Sequence, residues 1–227
     1  MIGPMRLPLK PRGPHLLHMN DVDLALILAF DGSASVTFDE FGLMVGGCAA
    51  ALRAPDIGPA LIGGAHGASL CAVLLWSGHG AQAVMVDWTR IDSPTSLESF
   101  AAAVDDMPRL VQPGNTAIGE ALIAAEKLLN LAPAASGRKI IDMVGDGRSN
   151  DGIAPGPIRD RLAAAGVTIN GLCVLHEEPD LLASYTAEVI GGPGAFALQC
   201  QDYSAFADAM SQKLQREIAL GRTMRAA

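Results

Sequence analysis

Residues 24–35 read LALILAFDGSAS. An unbroken apolar run, with Val22 just ahead of it, fits a strand buried on both faces inside a parallel sheet. The Gly and Ser residues that follow would break a helix early. Directly past the run, Asp31, Ser33 and Ser35 set one carboxylate and two hydroxyls on alternate positions. Ligands of open α/β sheets bind at the carboxyl ends of strands. Hard oxygen donors of this kind suit Mg²⁺, Mn²⁺ or Ca²⁺ rather than a soft metal. A polar turn opening a helix is the plainer account of the same residues.

Outward from this stretch the chain alternates strands and helices. Thr37 and Glu40 fit a capping box, and Phe38, Phe41, Val45, Cys48 and Leu52 make one face of a helix that Pro55 ends. Gly42, Gly46 and Gly47 weaken that helix and suggest close packing on the sheet. Residues 70–77 and 82–89 read as strands joined through Gly78-His79-Gly80, a link short enough to require an antiparallel hairpin. Trp76 and Trp88 flank it as packing residues. A helix over 93–107 has Thr95 and Glu98 as a capping box and Leu97, Phe100, Val104 and Met107 as its buried stripe. After a loop over 108–115, Thr116 opens a helix with Ile118, Leu122, Ala125 and Leu129 inward; a plain N-cap is one reading of that threonine. A second central strand over 138–145 runs straight into Asp146-Gly147-Arg148-Ser149-Asn150-Asp151-Gly152. A helix over 155–165, a strand over 167–175, a helix over 180–189 and a strand over 195–199 follow. Tyr203, Phe206, Met210, Leu214 and Ile218 mark the last helix. This order predicts an α/β fold: a three-layer, doubly wound, mostly parallel six-stranded sheet with one antiparallel edge strand. One domain is expected over 21–220, with a flexible arm over 1–20 and a tail over 221–227.

Composition narrows the function. Half of the 227 residues are hydrophobic and only 4% aromatic, so the core is built from Ala, Leu, Val and Ile. A net charge of −8 argues against nucleic acid, which needs a basic footprint. Cys48, Cys71, Cys173 and Cys200 form no C-x-x-C pair and lie in apolar stretches, so reduced, buried cysteines are expected. No apolar run approaches the roughly 20 residues of a membrane span. The start, MIGPMRLPLKPRGPHLLHMN, has no apolar h-region, and a cytoplasmic location is expected from it. A longer start would change that expectation to periplasmic or secreted.

Asp31, Ser33 and Ser35 follow one strand, Asp146 follows another, and Thr116 opens a helix between them. If the two strands are neighbours, these oxygens converge at one sheet edge. DGSAS, the threonine of GNTAIGEAL and the aspartate of MVGDGRS resemble the metal-ion-dependent adhesion site of the von Willebrand factor type A (vWA) domain. The element order matches that fold over about residues 21–218. The stretch VIGGPGAF and the amphipathic helix after it are similar to a bacterial subgroup of unassigned function. The resemblance implies a protein-binding module and not an enzyme. It implies a divalent ion, Mg²⁺ first, held directly by Ser33 and Ser35, by Thr116 directly or through water, and by Asp31 and Asp146 largely through bound waters. An Asp or Glu of a protein partner would complete the shell. Arg148, Ser149, Asn150 and Asp151 would tune partner choice or serve as solvated loop. Gly145 departs from the resemblance, because many vWA domains carry a hydroxyl residue before this aspartate.

Two other readings compete. GDGRSND also looks like the acidic metal motif of haloacid-dehalogenase-type phosphatases. Those need Asp-x-Asp after the first strand, and here the second position is Ser33. Alternatively the metal is structural and the chain is an assembly subunit. No G-x-S-x-G, H-E-x-x-H or P-loop is present.

Overall fold

The computed structural model describes residues 21–223, and the side chains of the last helix through Ile218. The arm expected over 1–20 lies outside the described residues. Strands β1 (Val22–Asp31), β2 (Ser69–Trp76), β3 (Gln82–Ile91), β4 (Ser136–Gly145), β5 (Val167–Val174) and β6 (Ala197–Cys200) form one sheet in the order β3-β2-β1-β4-β5-β6. Every neighbouring pair is parallel except β2 with β3. The whole of β2 is buried, as is β1 from Leu24 onward, which is why neither alternates.

Helices α1 (Phe38–Leu52), α2 (Ile57–Ile62) and α3 (Pro94–Asp105) cover one face together with α7 (Phe206–Thr223); α4 (Ile118–Asn130), α5 (Pro155–Ala164) and α6 (Leu181–Glu188) cover the other. Side chains sort by strand parity: Leu26, Leu28 and Phe30 pack with α1, α3 and α7, while Ala25, Ile27 and Ala29 pack with α4, α5 and α6. Strand β1 has β2 on one side and β4 on the other. The topological switch point therefore lies between the carboxyl ends of β1 and β4, where such sheets bind ligands.

Local details refine the sequence reading. The Thr37–Glu40 capping box forms, with Thr37 N donating to Glu40 Oε2 at 2.8 Å. Phe38, expected on the buried stripe of α1, is 76% exposed, because it starts the helix beyond the edge of the core. Gly47 makes room for α7 rather than the sheet: a Cβ there would meet Phe206 Cδ1 at 2.9 Å. The capping box of α3 is Ser93 with Ser96, not Thr95 with Glu98. Pro94 at the first helical position fixes that choice, and Glu98 is left to pair with Arg53 at 2.9 Å. Helix α2 has no helical signature in the sequence, because Gly58 and Pro59 lie within its six residues. The four cysteines are free and buried. Trp76 is fully buried, and Trp88 Nε1 donates to the Leu128 carbonyl at 3.0 Å. Among the described residues no helix is long and apolar enough to cross a membrane.

Candidate metal centre

Asp31 ends β1 and Asp146 follows the end of β4, so two carboxylates leave adjacent parallel strands at the switch point. Asp31 Oδ1 accepts from Ser33 N at 2.7 Å, which turns the chain sharply after the strand. Ser33 Oγ and Ser35 Oγ lie 3.1 Å apart, and Ser35 Oγ donates to Asp146 Oδ1 at 2.7 Å. Thr116 arrives from a third segment. Its N donates to Asn150 Oδ1 at 2.8 Å, and Asn150 N donates back to the Thr116 carbonyl at 2.9 Å. Thr116 Oγ1 lies 3.6 Å from where a Cβ on Gly147, the residue after Asp146, would stand. Ala34 N donates to the Gly114 carbonyl at 2.8 Å and joins the first loop to the third segment. All five residues therefore meet at one sheet edge. Thr116 does not cap α4: the N-cap is Ala117, without a side-chain hydrogen bond.

The two carboxylates at this edge are only partly satisfied. Asp31 and Asp146 are fully buried, and Ser33 is nearly so. Asp31 Oδ2 and Asp146 Oδ2 are buried with no hydrogen-bond partner among the described residues. Burial, and then the Asp146 charge, pushes the Asp31 carboxyl up to about 7. Burial also raises Asp146, against the opposing effect of the Ser35 hydrogen bond. Two buried carboxylates with free oxygens beside three hydroxyls fit a hard divalent cation. Among the described residues no group of three or more His, Cys, Asp or Glu side chains is placed to hold a metal ion. The donors here are carboxylate and hydroxyl oxygens, which disfavours soft metals.

Arg109 carries no sequence signature, and Arg148, Asn150 and Asp151, expected to tune partner choice or serve as solvated loop, are held by specific contacts. Arg109 donates from Nη1 to the Val36 carbonyl at 2.7 Å, and from Nη2 to the Gly32 and Ser33 carbonyls at 3.0 and 2.8 Å. It clamps the backbone that presents the serines. Asn150 fixes Thr116, as above. Arg148 is held by Glu178 at 2.9 Å and Asp180 at 2.5 Å, and Asp151 Oδ2 accepts from His79 N at 2.9 Å. The loop after Asp146 is thus anchored from both sides.

The sequence profile of a family described as "Protein of unknown function (DUF1194)" matches residues 21–221. No curated protein matches the chain. Among solved structures, proximal thread matrix protein 1 from the mussel byssus, with a zinc-occupied MIDAS motif, is 19% identical with a TM-score of 0.62; 88% of this chain and 48% of that one are covered. The von Willebrand factor type A structure from Catenulispora acidiphila is 16% identical with a TM-score of 0.57, covering 88% and 43%. The vWF domain of the type V pili tip protein Mfa5 from Porphyromonas gingivalis is 11% identical with a TM-score of 0.56, covering 88% and 96%. The chain spans about half the length of the mussel protein. Its fold is that of the vWA domain.

Proposed function

The chain belongs to the DUF1194 family, and we propose that it is a divalent-metal-dependent protein-binding module whose metal site captures an acidic residue of a partner. The observation that carries this reading is the pair of buried carboxylates, Asp31 and Asp146, each with one oxygen left without a hydrogen-bond partner among the described residues. Ser33, Ser35 and Thr116 would hold the ion through their hydroxyls, and Asp31 and Asp146 would balance its charge. When bound, the ion supplies a local positive centre that attracts a carboxylate to a protein of net negative charge. The oxygen donor set favours Mg²⁺, which keeps several waters, with Mn²⁺ or Ca²⁺ as alternatives. Zinc in the mussel protein is a fact about that protein.

The residues of this chain bind and orient. Ser35 ties the β1 loop to Asp146, Asn150 fixes Thr116, and Arg109 holds the serine-bearing backbone in place. Phosphatase chemistry would need a second carboxylate two residues after Asp31. Ser33 stands there, hydrogen-bonded to Ser35.

Calorimetric titration of metal-stripped protein with Mg²⁺, Mn²⁺ and Ca²⁺, wild type beside Ser33→Ala, tests the site. One-site binding that weakens at least tenfold in the variant supports it. A folded wild type that binds none of the three ions would overturn the metal-site reading. Immobilised peptides, read with and without a chelator, test the partner. Retention should need the metal and an Asp or Glu; retention without either would overturn that part.

A further inference from the structure

The space over Gly145 is filled from other elements. A Cβ on Gly145 would lie 2.6 Å from Tyr185 Oη and 2.9 Å from Asp31 Oδ2. Both oxygens are buried, and neither has a hydrogen-bond partner among the described residues. Tyr185 comes from α6 and is fully buried. Its ring passes over a second glycine, since a Cβ on Gly171 of β5 would meet Tyr185 Cδ1 at 2.9 Å. Strands β5, β4 and β1 are successive neighbours, spaced by about 4.8 Å. A ring laid from Gly171 to Gly145 thus brings its hydroxyl to the carboxyl end of β1. A larger residue at either glycine would block it.

Packing alone does not require that oxygen. A phenylalanine would fill the same two-glycine trough without leaving a buried hydroxyl unpartnered. Resting on the metal-site reading above, we propose that Tyr185 is a positioning residue for Asp31: its hydroxyl is joined to Asp31 Oδ2 across the space over Gly145 through one bridging water. Ser33 N already fixes Oδ1, so the tyrosine fixes the second oxygen and sets the plane of the carboxylate. The oxygen that stands over position 145 of β4 comes from helix α6. Glycine at position 145 is then the condition for the tyrosine.

Groups that orient metal ligands from outside typically change metal affinity by about 10–100-fold when removed. Tyr185→Phe is therefore expected to lose Mg²⁺ or Mn²⁺ affinity in that range by calorimetry, with the metal-free melting temperature unchanged or raised. Gly145→Ser alone, whose Cβ meets the phenol oxygen, should melt lower. Retained affinity in Tyr185→Phe, with wild type binding normally, overturns this inference alone. A shifted melting temperature with unchanged affinity gives the hydroxyl a role in stability only and does the same. No ion binding by folded wild type overturns the metal-site reading and this inference together.

Discussion

Arg109 Nη2 donates to the Ser33 carbonyl at 2.8 Å, across a sequence separation of 76 residues. The same guanidinium reaches the carbonyls of Gly32 and Val36 and lies over the rings of Phe38 and Phe41. One planar fork thus holds three carbonyls of the loop that presents Ser33 and Ser35. Lysine offers a single point of donation and cannot reproduce the fork. Arg109→Lys should weaken divalent-ion binding about tenfold, equivalent to roughly 1.4 kcal/mol of lost preorganisation. Arg109→Ala should in addition destabilise the fold by about 2 kcal/mol, through lost charge-assisted hydrogen bonds. Paired calorimetry and thermal melts separate the two effects. Unchanged affinity in Arg109→Lys would show that the loop holds its shape without the clamp.

The sequence exposes some of this architecture and hides the rest, for physical reasons. Strand β1 is legible because both of its faces are buried, so it reads as an apolar run, and Asp31 stands out at its end. Asp146 stands out the same way after β4. Arg109 and Asn150 do not, because their partners are backbone groups, which leave no pattern in side-chain identity. The α3 cap is ambiguous in SPTSLES, where two boxes overlap, and only the preference of proline for the first helical turn decides it. Tyr185 falls in a helix of weak periodicity, and its reach to Asp31 depends on two glycines on two other strands. Lys213 and Glu217 read as polar positions of α7, yet both follow Met210 at helical spacing and are buried. Their spacing on the buried stripe was the available signal.

Acid should oppose metal binding. The Asp31 carboxyl sits at about 7 in the folded protein against an ordinary 3.8, through burial and the Asp146 charge. Between those values the folded, metal-free protein holds a proton that the unfolded chain has released. Its stability therefore declines as pH rises through that window. An ion displaces the proton, so affinity should rise with pH and level off above about 7. Melts of metal-stripped and Mg²⁺-loaded protein from about pH 5 to about pH 8 should show the metal-induced increase in melting temperature growing across the range. An increase independent of pH would mean that Asp31 is already ionised without the metal.

Away from the metal centre, Lys213 on α7 pairs with Asp142 of β4 and Glu217, all three buried. Asn170 Nδ2 donates to Glu217 Oε1 at 2.8 Å, and Asn170 Oδ1 accepts from Phe196 N at 3.0 Å. The network thereby ties α7 to β4, β5 and the residues leading into β6. Burial and the Glu217 charge push Asp142 up to about 7, while the two carboxylates hold Lys213 in its charged form. A buried pair contributes little over an apolar replacement, but removing one partner strands the other. Lys213→Met leaves two buried carboxylates facing each other and should destabilise the fold by about 3–5 kcal/mol. Lys213→Met/Asp142→Leu/Glu217→Met should recover most of that loss, as an apolar seam. Chemical denaturation of the two variants beside wild type measures both steps. A Lys213→Met protein as stable as wild type would show that the carboxylates take up protons at little cost, and that the lysine does not hold α7 on the sheet.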